Sequence, residues 1–401
     1  MLRVLRLSLY QMFLIVAFAA LVLAIFGIVQ RRWSVNNSLP PMALSPDGKS
    51  LAVGLSFRPL FERRHPVLIH DLTGTSVKDR TCEQHEWCVE GVAYSPDGKK
   101  LYSVGDSTLR TWDPATGEPL GRIDTGSEVS ACLAVSPSGR FVATGNDSEI
   151  RIQDTESQEV QLLPTKRLNT LCFSPDGAFL VSGTWGGNID IRSTQDWSLI
   201  NSFKAPAHAA FLPDGRLVTP HYTPASKQEP FKIGVAIHKI PSGEPEVILP
   251  LESYAAVSSV ATSIDGRYIA AAHGGHEKQH KRAITIWDAN SLEELQTWSV
   301  SRLHTKWVDE MVFSKDGETL YCASNNNTVS AQHWKRNEAT SLYKSGKVFP
   351  WPLTLVGGAI WVSAWFLTRT RKKSSPVHAI RQGGTFDRKN GQPDSTISSI
   401  S

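Results

Sequence analysis

The sequence predicts an all-β fold: a seven-bladed β-propeller of four-stranded antiparallel blades, flanked by an N-terminal and a C-terminal transmembrane helix. Three observations lead to this prediction. A turn motif related to Ser-Pro-Asp-Gly recurs seven times, strand-like apolar runs follow each copy, and one charge-free apolar segment lies near each end of the chain. Four antiparallel strands in every ~40 residues are typical of a propeller blade.

The repeated motif has the chemistry of a tight hairpin. Proline presets the backbone angle at the second turn position, aspartate can bond back to the backbone, and glycine accepts a positive φ. The flanking residues alternate or are β-branched and aromatic, as in 91–94 and 141–144, so each copy is expected to join two antiparallel strands. The seven copies begin at Ser45, Ser95, Ser136, Ser174, Leu212, Ser263 and Ser314.

Two more strands complete each predicted blade. A third strand is expected at 67–71, 109–113, 150–154, 189–193, 235–239, 284–288 and 329–333. A weaker fourth strand follows, for example at 119–123, 159–163 and 341–344. Because 341–344 follows the third strand of the last blade at the usual interval, we expect that blade to supply its own outer strand. The alternative is that 32–35 closes the ring as an added strand.

Two predicted third strands end in a tryptophan-aspartate pair, Trp112-Asp113 and Trp287-Asp288. A histidine also stands ten residues before the turn serine, at His85 and at His304. With these residues, the region from about Ser38 to Gly346 resembles the WD-repeat β-propeller family, which is named after the tryptophan-aspartate dipeptide, in a divergent, bacterial-type form.

The resemblance implies a buried hydrogen-bonded network with a structural role, formed by His85, Ser103, Asp106 and Trp112. Such a network is favourable only when all its members are hydrogen-bonded. It is expected to be incomplete in the blades where the tryptophan position holds His70, Gln153, Arg192, His238 or Gln332.

The two apolar segments predict membrane anchoring. Residues 7–30 and 348–368 carry no charge, and each could span a bilayer as a helix. A cleaved signal peptide remains an alternative for the first. The expected regions are an anchor at 1–33, the propeller at 34–346, a transmembrane helix at 347–368 and a basic, disordered cytoplasmic tail at 369–401. The slight excess of basic residues after the second segment favours a two-pass cell-membrane protein with cytoplasmic termini and an extracytoplasmic propeller.

Composition and loop chemistry favour a non-catalytic interaction module that binds a protein or peptide. A net charge of +4 gives no reason to expect nucleic-acid binding. No Gly-rich phosphate loop, nucleophile elbow or HExxH motif is present, so no catalytic residue, cofactor or metal site is assigned. The candidate contacts, facing either a partner or the lipid, lie in long connections between second and third strands: Phe57, Arg58, Phe61, Arg63, Arg64, Tyr222, Phe231, Lys232 and Lys278.

Three other readings remain at this stage. An enzyme or small-ligand site in the central channel would need convergent charges, and the candidates are scattered: Glu90, Lys166, Asp309 and Glu310. The spacing of His273, His276 and His280 could hold zinc, but a loop rich in glycine and lysine is a poor preformed site. Cys82 and Cys88 are close enough in sequence to pair.

Overall fold

The structure is a computed structural model that describes residues 40–55, 65–74, 79–86, 88–126, 132–223, 232–251, 256–274, 282–300, 307–324, 328–336 and 338–344. All of them belong to one compact unit, residues 1–346. A second unit, residues 347–401, lies outside the described residues.

Seven antiparallel sheets form the unit, and each contains four strands that follow one another in the chain. Blades 1 to 4 comprise β1 (Met42–Leu44), β2 (Ser50–Gly54), β3 (His65–Asp71), β4 (Arg80–His85), β5 (Val89–Tyr94), β6 (Leu101–Gly105), β7 (Thr108–Trp112), β8 (Pro119–Asp124), β9 (Cys132–Val135), β10 (Phe141–Gly145), β11 (Glu149–Asp154), β12 (Val160–Pro164), β13 (Leu168–Phe173), β14 (Phe179–Thr184), β15 (Asn188–Ser193) and β16 (Leu199–Lys204). Blades 5 to 7 comprise β17 (Ala210–Phe211), β18 (Leu217–Thr223), β19 (Lys232–His238), β20 (Pro245–Leu251), β21 (Val257–Thr262), β22 (Tyr268–His273), β23 (Ala283–Asp288), β24 (Glu294–Ser299), β25 (Val308–Phe313), β26 (Thr319–Ser324), β27 (Thr328–His333) and β28 (Glu338–Lys344), with a short 3₁₀ helix at Trp334–Arg336. The predicted seven-bladed all-β propeller is confirmed.

Up-and-down strands give the ring two distinct faces. The turns from first to second strand and from third to fourth strand share one face, which we call the turn face. The connections from second to third strand and from blade to blade share the other, which we call the loop face. The seven sequence motifs therefore all lie on the turn face.

Serine is the residue that organises these turns. In six blades its hydroxyl oxygen accepts the backbone N–H five residues later, as from Lys100 to Ser95 at 2.9 Å. In five of them the hydroxyl donates to the aspartate two residues later, as from Ser95 to Asp97 at 2.6 Å, and Ser138 replaces that aspartate in blade 3. The motif glycines all have positive φ, for example +71° at Gly98. Each motif residue thus closes a different part of one local turn.

Blade 5 departs from this pattern. Leu212 replaces the serine and is buried against blade 6, so its turn lacks the hydroxyl bonds. The turn also closes one residue earlier, with the Leu212 N–H donating to the Arg216 carbonyl at 2.8 Å. The first strand of this blade, β17, has only two residues. Local turn chemistry therefore shortens one blade at the turn face.

The buried apolar residues of the described chain form seven clusters, one at each junction between neighbouring blades. At the junction that closes the ring, Leu51 and Val53 of blade 1 pack with Tyr321, Val329 and Ala331 of blade 7. Blade 7 supplies its own outer strand, β28, which pairs with β27. The expected outer strand of blade 7 is confirmed, and among the described residues side-chain packing joins the last blade to the first. The alternative strand at 32–35 lies outside the described residues.

The prediction of a two-pass membrane localisation is wrong on the finding that follows. Along the described part of the chain, no helix is long and apolar enough to cross a lipid bilayer. The two segments that led to the prediction, 7–30 and 348–368, lie outside the described residues. Nothing in the described residues supports the predicted flanking transmembrane helices or a bilayer partner.

Candidate functional site

The structure brings the four predicted network residues together at the boundary of blades 1 and 2. His85 ends β4, Ser103 lies on β6, Asp106 follows β6, and Trp112 ends β7. The Trp112 indole Nε1–H donates to Ser103 Oγ at 2.8 Å. Ser103 Oγ also lies 2.7 Å from His85 Nε2, to which the serine hydroxyl donates when the ring carries its single proton on Nδ1. The remaining ring N–H, on Nδ1, donates to Asp106 Oδ1 at 2.6 Å.

Asp106 is the anchor of this chain of hydrogen bonds. Its carboxylate also accepts the Glu86 backbone N–H and the Thr108 hydroxyl. Burial acts to raise its pKa, but the hydrogen bond from His85 and those from the other donors lower the pKa to about 2. For His85, burial outweighs the nearby carboxylate and lowers the pKa, which keeps the ring neutral. In the neutral ring with its proton on Nδ1, Nε2 is free to accept the Ser103 hydroxyl.

A serine, a histidine and an aspartate in hydrogen-bonded series also form the catalytic triad of hydrolases. Here Ser103 and His85 are both 0% exposed. No substrate carbonyl could reach the serine oxygen, which already accepts the indole N–H. The arrangement therefore supports a structural role, because it ties the outer strand of blade 1 to the second and third strands of blade 2.

Other blades contain fragments of the same network. In blade 5, His238 occupies the tryptophan position, and its Nε2 lies 2.9 Å from the Thr219 hydroxyl. In blade 6, Trp287 is buried, and a separate hydrogen-bonded series runs from His273 through Thr285 to Thr297. His276 and His280, which would complete the zinc spacing, lie outside the described residues. Elsewhere in the described chain, apolar packing carries the blade junctions.

The predicted loop contacts fall into two groups. Phe57, Arg58, Phe61, Arg63, Arg64, Phe231 and Lys278 lie outside the described residues. Lys232 is exposed at the start of β19. Tyr222 lies on β18, where its hydroxyl accepts the Val257 N–H at 3.2 Å and lies 3.3 Å from the Val257 carbonyl oxygen. Burial raises the pKa of this tyrosine. Tyr222 therefore joins blades 5 and 6, and it is not a free contact residue.

Two glutamates on first strands lie in the interior of the ring. Burial raises the pKa of Glu90, on β5, and of Glu310, on β25, to about 7 in each case. Glu90 Oε2 is buried without a hydrogen-bond partner, whereas the Met42 N–H donates toward Glu310. Burial, followed by repulsion from both carboxylates, raises the pKa of the Cys132 thiol. Cys82 and Cys88 are both buried and are not joined by a disulfide, so the pairing considered from the sequence is not formed.

A cavity of about 410 Å³ opens at the turn face across blades 4, 5 and 6. It lies where the shortened turn of blade 5 leaves a gap beside blade 4. In blade 2, a Cβ added to the turn glycine Gly98 would contact Pro46 in the turn of the preceding blade. In blade 5, a Cβ added to Gly215 would meet no atom within 4 Å. The Thr262 hydroxyl donates to the Phe211 carbonyl. The lining residues are Cys172, Phe173, Pro175, Phe211, Pro213, Thr262, Ser263 and Ile264.

The cavity was not predicted from the sequence. Its signal was present in two departures from the turn motif, Leu212 for serine and Ile264 for proline. Only the packing of three blades shows that these departures meet around one opening.

A scan of protein families matches the model described as "WD domain, G-beta repeat" at residues 76–113, 117–154 and 158–191. Among curated relatives, the chain is 30% identical over 136 residues to small ribosomal subunit protein RACK1y of Oryza sativa subsp. japonica, covering 31% of this chain and 40% of that protein. It is 32% identical over 111 residues to a WD repeat-containing protein WDS homolog of Arabidopsis thaliana, covering 25% and 21% of the two chains. The matched stretch thus spans less than half the length of these relatives.

Two solved structures share the fold. The structure of Kuenenia stuttgartiensis hydrazine synthase aligns with a TM-score of 0.55 and 17% identity, covering 77% of this chain and 96% of that one. The β-propeller domain of Cps50 (Swd1) from Myceliophteria thermophila aligns with a TM-score of 0.55 and 15% identity, covering 71% and 92%. Likeness at this level of identity concerns the fold alone.

Proposed function

Because the chain belongs to the WD-repeat β-propeller family, we propose that it is a non-catalytic interaction module that binds a protein or peptide partner through the connections on the faces of its ring. Propellers of this family typically act as protein-interaction scaffolds. The relative from Oryza sativa is named as a ribosomal subunit protein, which is consistent with a place in a larger assembly.

The main support for the proposal is that the polar residues of blade 2 are buried and hydrogen-bonded to one another. The serine, histidine and aspartate that could support hydrolysis are buried and already hydrogen-bonded to one another. Their chemistry maintains the ring, which leaves the exposed connections as the surface for recognition. A rigid ring also lowers the conformational cost of binding at those connections.

The proposal is tested by chemical crosslinking of the tagged full-length chain in cells, followed by mass spectrometry. The expected result is one protein recovered in stoichiometric amount with the wild-type chain. Trp112→Ala serves as the control bait, because loss of this buried indole destabilises the ring by about 3–5 kcal/mol. Recovery of the same protein in equal amount with the destabilised bait, or recovery of no protein, contradicts the proposal.

A second candidate is a small cationic ligand in the centre of the ring. The observation that favours it is the pair of partly desolvated carboxyls, Glu90 and Glu310, with pKa values of about 7. A bound ammonium group would stabilise their ionised form. Calorimetric titration with a simple diamine tests this candidate. Binding that disappears in Glu90→Gln favours it, and the absence of heat at millimolar diamine rules it out.

A further inference from the structure

Among the described residues of the loop face, Trp185 is the largest exposed apolar side chain. It follows β14 in the connection to β15, and 60% of its surface is exposed. Single exposed apolar residues are common on protein surfaces and need no explanation by themselves. The surroundings of Trp185 are what distinguish it.

Backbone hydrogen bonds hold the Trp185 turn in place. The Trp185 N–H donates to the Arg167 carbonyl at 2.9 Å, which joins the turn to the connection entering blade 4. Within the turn, the Gly187 N–H donates to the Thr184 carbonyl at 2.9 Å. On its other side, the Ala205 N–H donates to the Gly187 carbonyl at 3.2 Å. The indole is thus presented on an ordered backbone, which reduces the entropy lost when it is covered.

Three cationic residues lie in the segments bonded to the Trp185 turn. Lys166 and Arg167 lie in the connection that accepts the Trp185 N–H, and Lys204 precedes Ala205 at the end of β16. All three side chains are exposed, and none forms an ion pair with a residue that the structure describes. The adjacent turn carries the exposed Asp147, whose carbonyl accepts the Arg167 N–H, and the half-buried Glu149. Asp190 on β15 is also half-buried, and it accepts the Ser202 hydroxyl. Among the fully exposed side chains, three cations therefore face one acid.

Resting on the proposed function, we propose that Trp185, Lys166, Arg167 and Lys204 form a docking site, the Trp185 site, for an acidic segment of a partner protein. The carboxylates of the segment meet the three cations, and an apolar side chain of the segment lies against the indole. Tryptophan and arginine are enriched among residues that dominate interface energies, and charge complementarity selects the partner and speeds its association.

Single-stranded RNA would also bring negative charge and a stacking surface. Such binding normally uses several aromatic platforms along a basic groove. The Trp185 site has one indole with cations on both sides of its turn, which fits a short peptide better. An oligonucleotide is therefore included as a competing probe.

The test is a fluorescence-anisotropy titration of the full-length chain with a labelled peptide of about eight glutamates around two central leucines. Saturable binding is expected at low salt and should weaken as salt rises, because salt screens the ion pairs. Trp185→Ala and the double reversal Lys166→Glu/Arg167→Glu should each weaken binding at least about tenfold. A peptide with lysines in place of the glutamates should not bind.

Matched variants separate the site from general effects. Lys49→Glu/Lys99→Glu changes the net charge by the same amount on the turn face, and Leu199→Ala removes a 50% exposed side chain from the outer strand of the same blade. Both should bind the acidic peptide within about twofold of wild type. All variants should keep the wild-type urea midpoint, because the altered side chains are exposed.

Three results would overturn the proposal: no saturable binding of the acidic peptide, equal weakening by the two charge reversals, or tighter binding of a poly-uridine oligonucleotide than of the peptide. The proposed function fails separately. If crosslinking recovers a stoichiometric partner that Trp185→Ala leaves unchanged, the interaction module stands and the Trp185 site is refuted.

Discussion

Replacing Ser103 with alanine should cost far more stability than the loss of one hydroxyl suggests. The Ser103 hydroxyl satisfies two buried groups, the Trp112 indole N–H at 2.8 Å and His85 Nε2 at 2.7 Å. In Ser103→Ala both groups remain buried without a partner. A buried unsatisfied polar group costs about 1–3 kcal/mol, so with two such groups the expected loss of unfolding free energy is about 2–6 kcal/mol. This is a large share of the ~5–15 kcal/mol by which folded domains are stable.

Equilibrium urea unfolding of the full-length chain, followed by far-ultraviolet circular dichroism, measures this loss. The matched control is Ser182→Ala. Ser182 is 1% exposed and occupies the same position on the second strand of blade 4, but Arg192 replaces the tryptophan there. With no indole left unsatisfied, Ser182→Ala should cost less than about 1 kcal/mol.

A double-mutant cycle with Trp112→Phe isolates the interaction itself. In Ser103→Ala/Trp112→Phe no indole N–H is left without a partner, so the double variant should be more stable than additivity predicts by about 1–2 kcal/mol. Equal losses for Ser103→Ala and Ser182→Ala, or strict additivity in the cycle, would refute the view that this network stabilises the ring.

Three further predictions concern pH, the turns and ring closure. Because burial raises the pKa of Glu90 and Glu310 from 4.5 to about 7, their stabilising effect is complete below pH 4.5 and is lost as pH rises through 7. The free energy of unfolding of the wild type should therefore fall between pH 5 and pH 8, and Glu90→Gln should reduce this fall by up to about 3 kcal/mol. If Glu90→Gln leaves the fall unchanged, Glu90 does not have the raised pKa. Asp97→Ala removes the acceptor of the Ser95 hydroxyl and of the Lys99 N–H, so it should lower the free energy of unfolding by about 1 kcal/mol. Leu51→Ala, at the junction of blades 1 and 7, should cost about 2–5 kcal/mol in urea unfolding, as Leu180→Ala should at the junction of blades 3 and 4. Selective proteolysis of blade 1 in Leu51→Ala, with the other blades intact, would show instead that the ring tolerates opening.

The turn motif illustrates what sequence reasoning recovers and where it stops. The roles of proline, aspartate and glycine follow from their individual backbone chemistry, and the seven turns lie where they were predicted. The serine had no assigned role, although its recurrence in six of seven copies was visible. Its function depends on a hydrogen bond to the backbone five residues later, which exists only once the second strand has paired with the first.

Tyr222 shows a different kind of limit. Its position near a long connection suggested an exposed contact residue, yet its hydroxyl is bonded to Val257 in the next blade. Trp185 is the converse case: a tryptophan next to two glycines gave no sign of facing solvent. In both cases the exposure of the side chain depends on a segment that is distant in the chain, Val257 for Tyr222 and Arg167 for Trp185. The type of a single residue does not indicate which distant segment will cover it.

The sequence by itself determined the number of blades and the order of their strands, because the turn that joins two strands depends on residues close together in the chain and recurs in every repeat. The membership of the blade 2 network came from the resemblance to the WD-repeat family, since His85 and Asp106 are 21 residues apart. The tertiary structure alone decided how Leu51 meets Tyr321 to close the ring, where the turns of blades 4 and 5 part to open a cavity, and which cations surround Trp185. Those arrangements depend on how separate blades pack, and packing between distant segments leaves no periodic mark in one sequence.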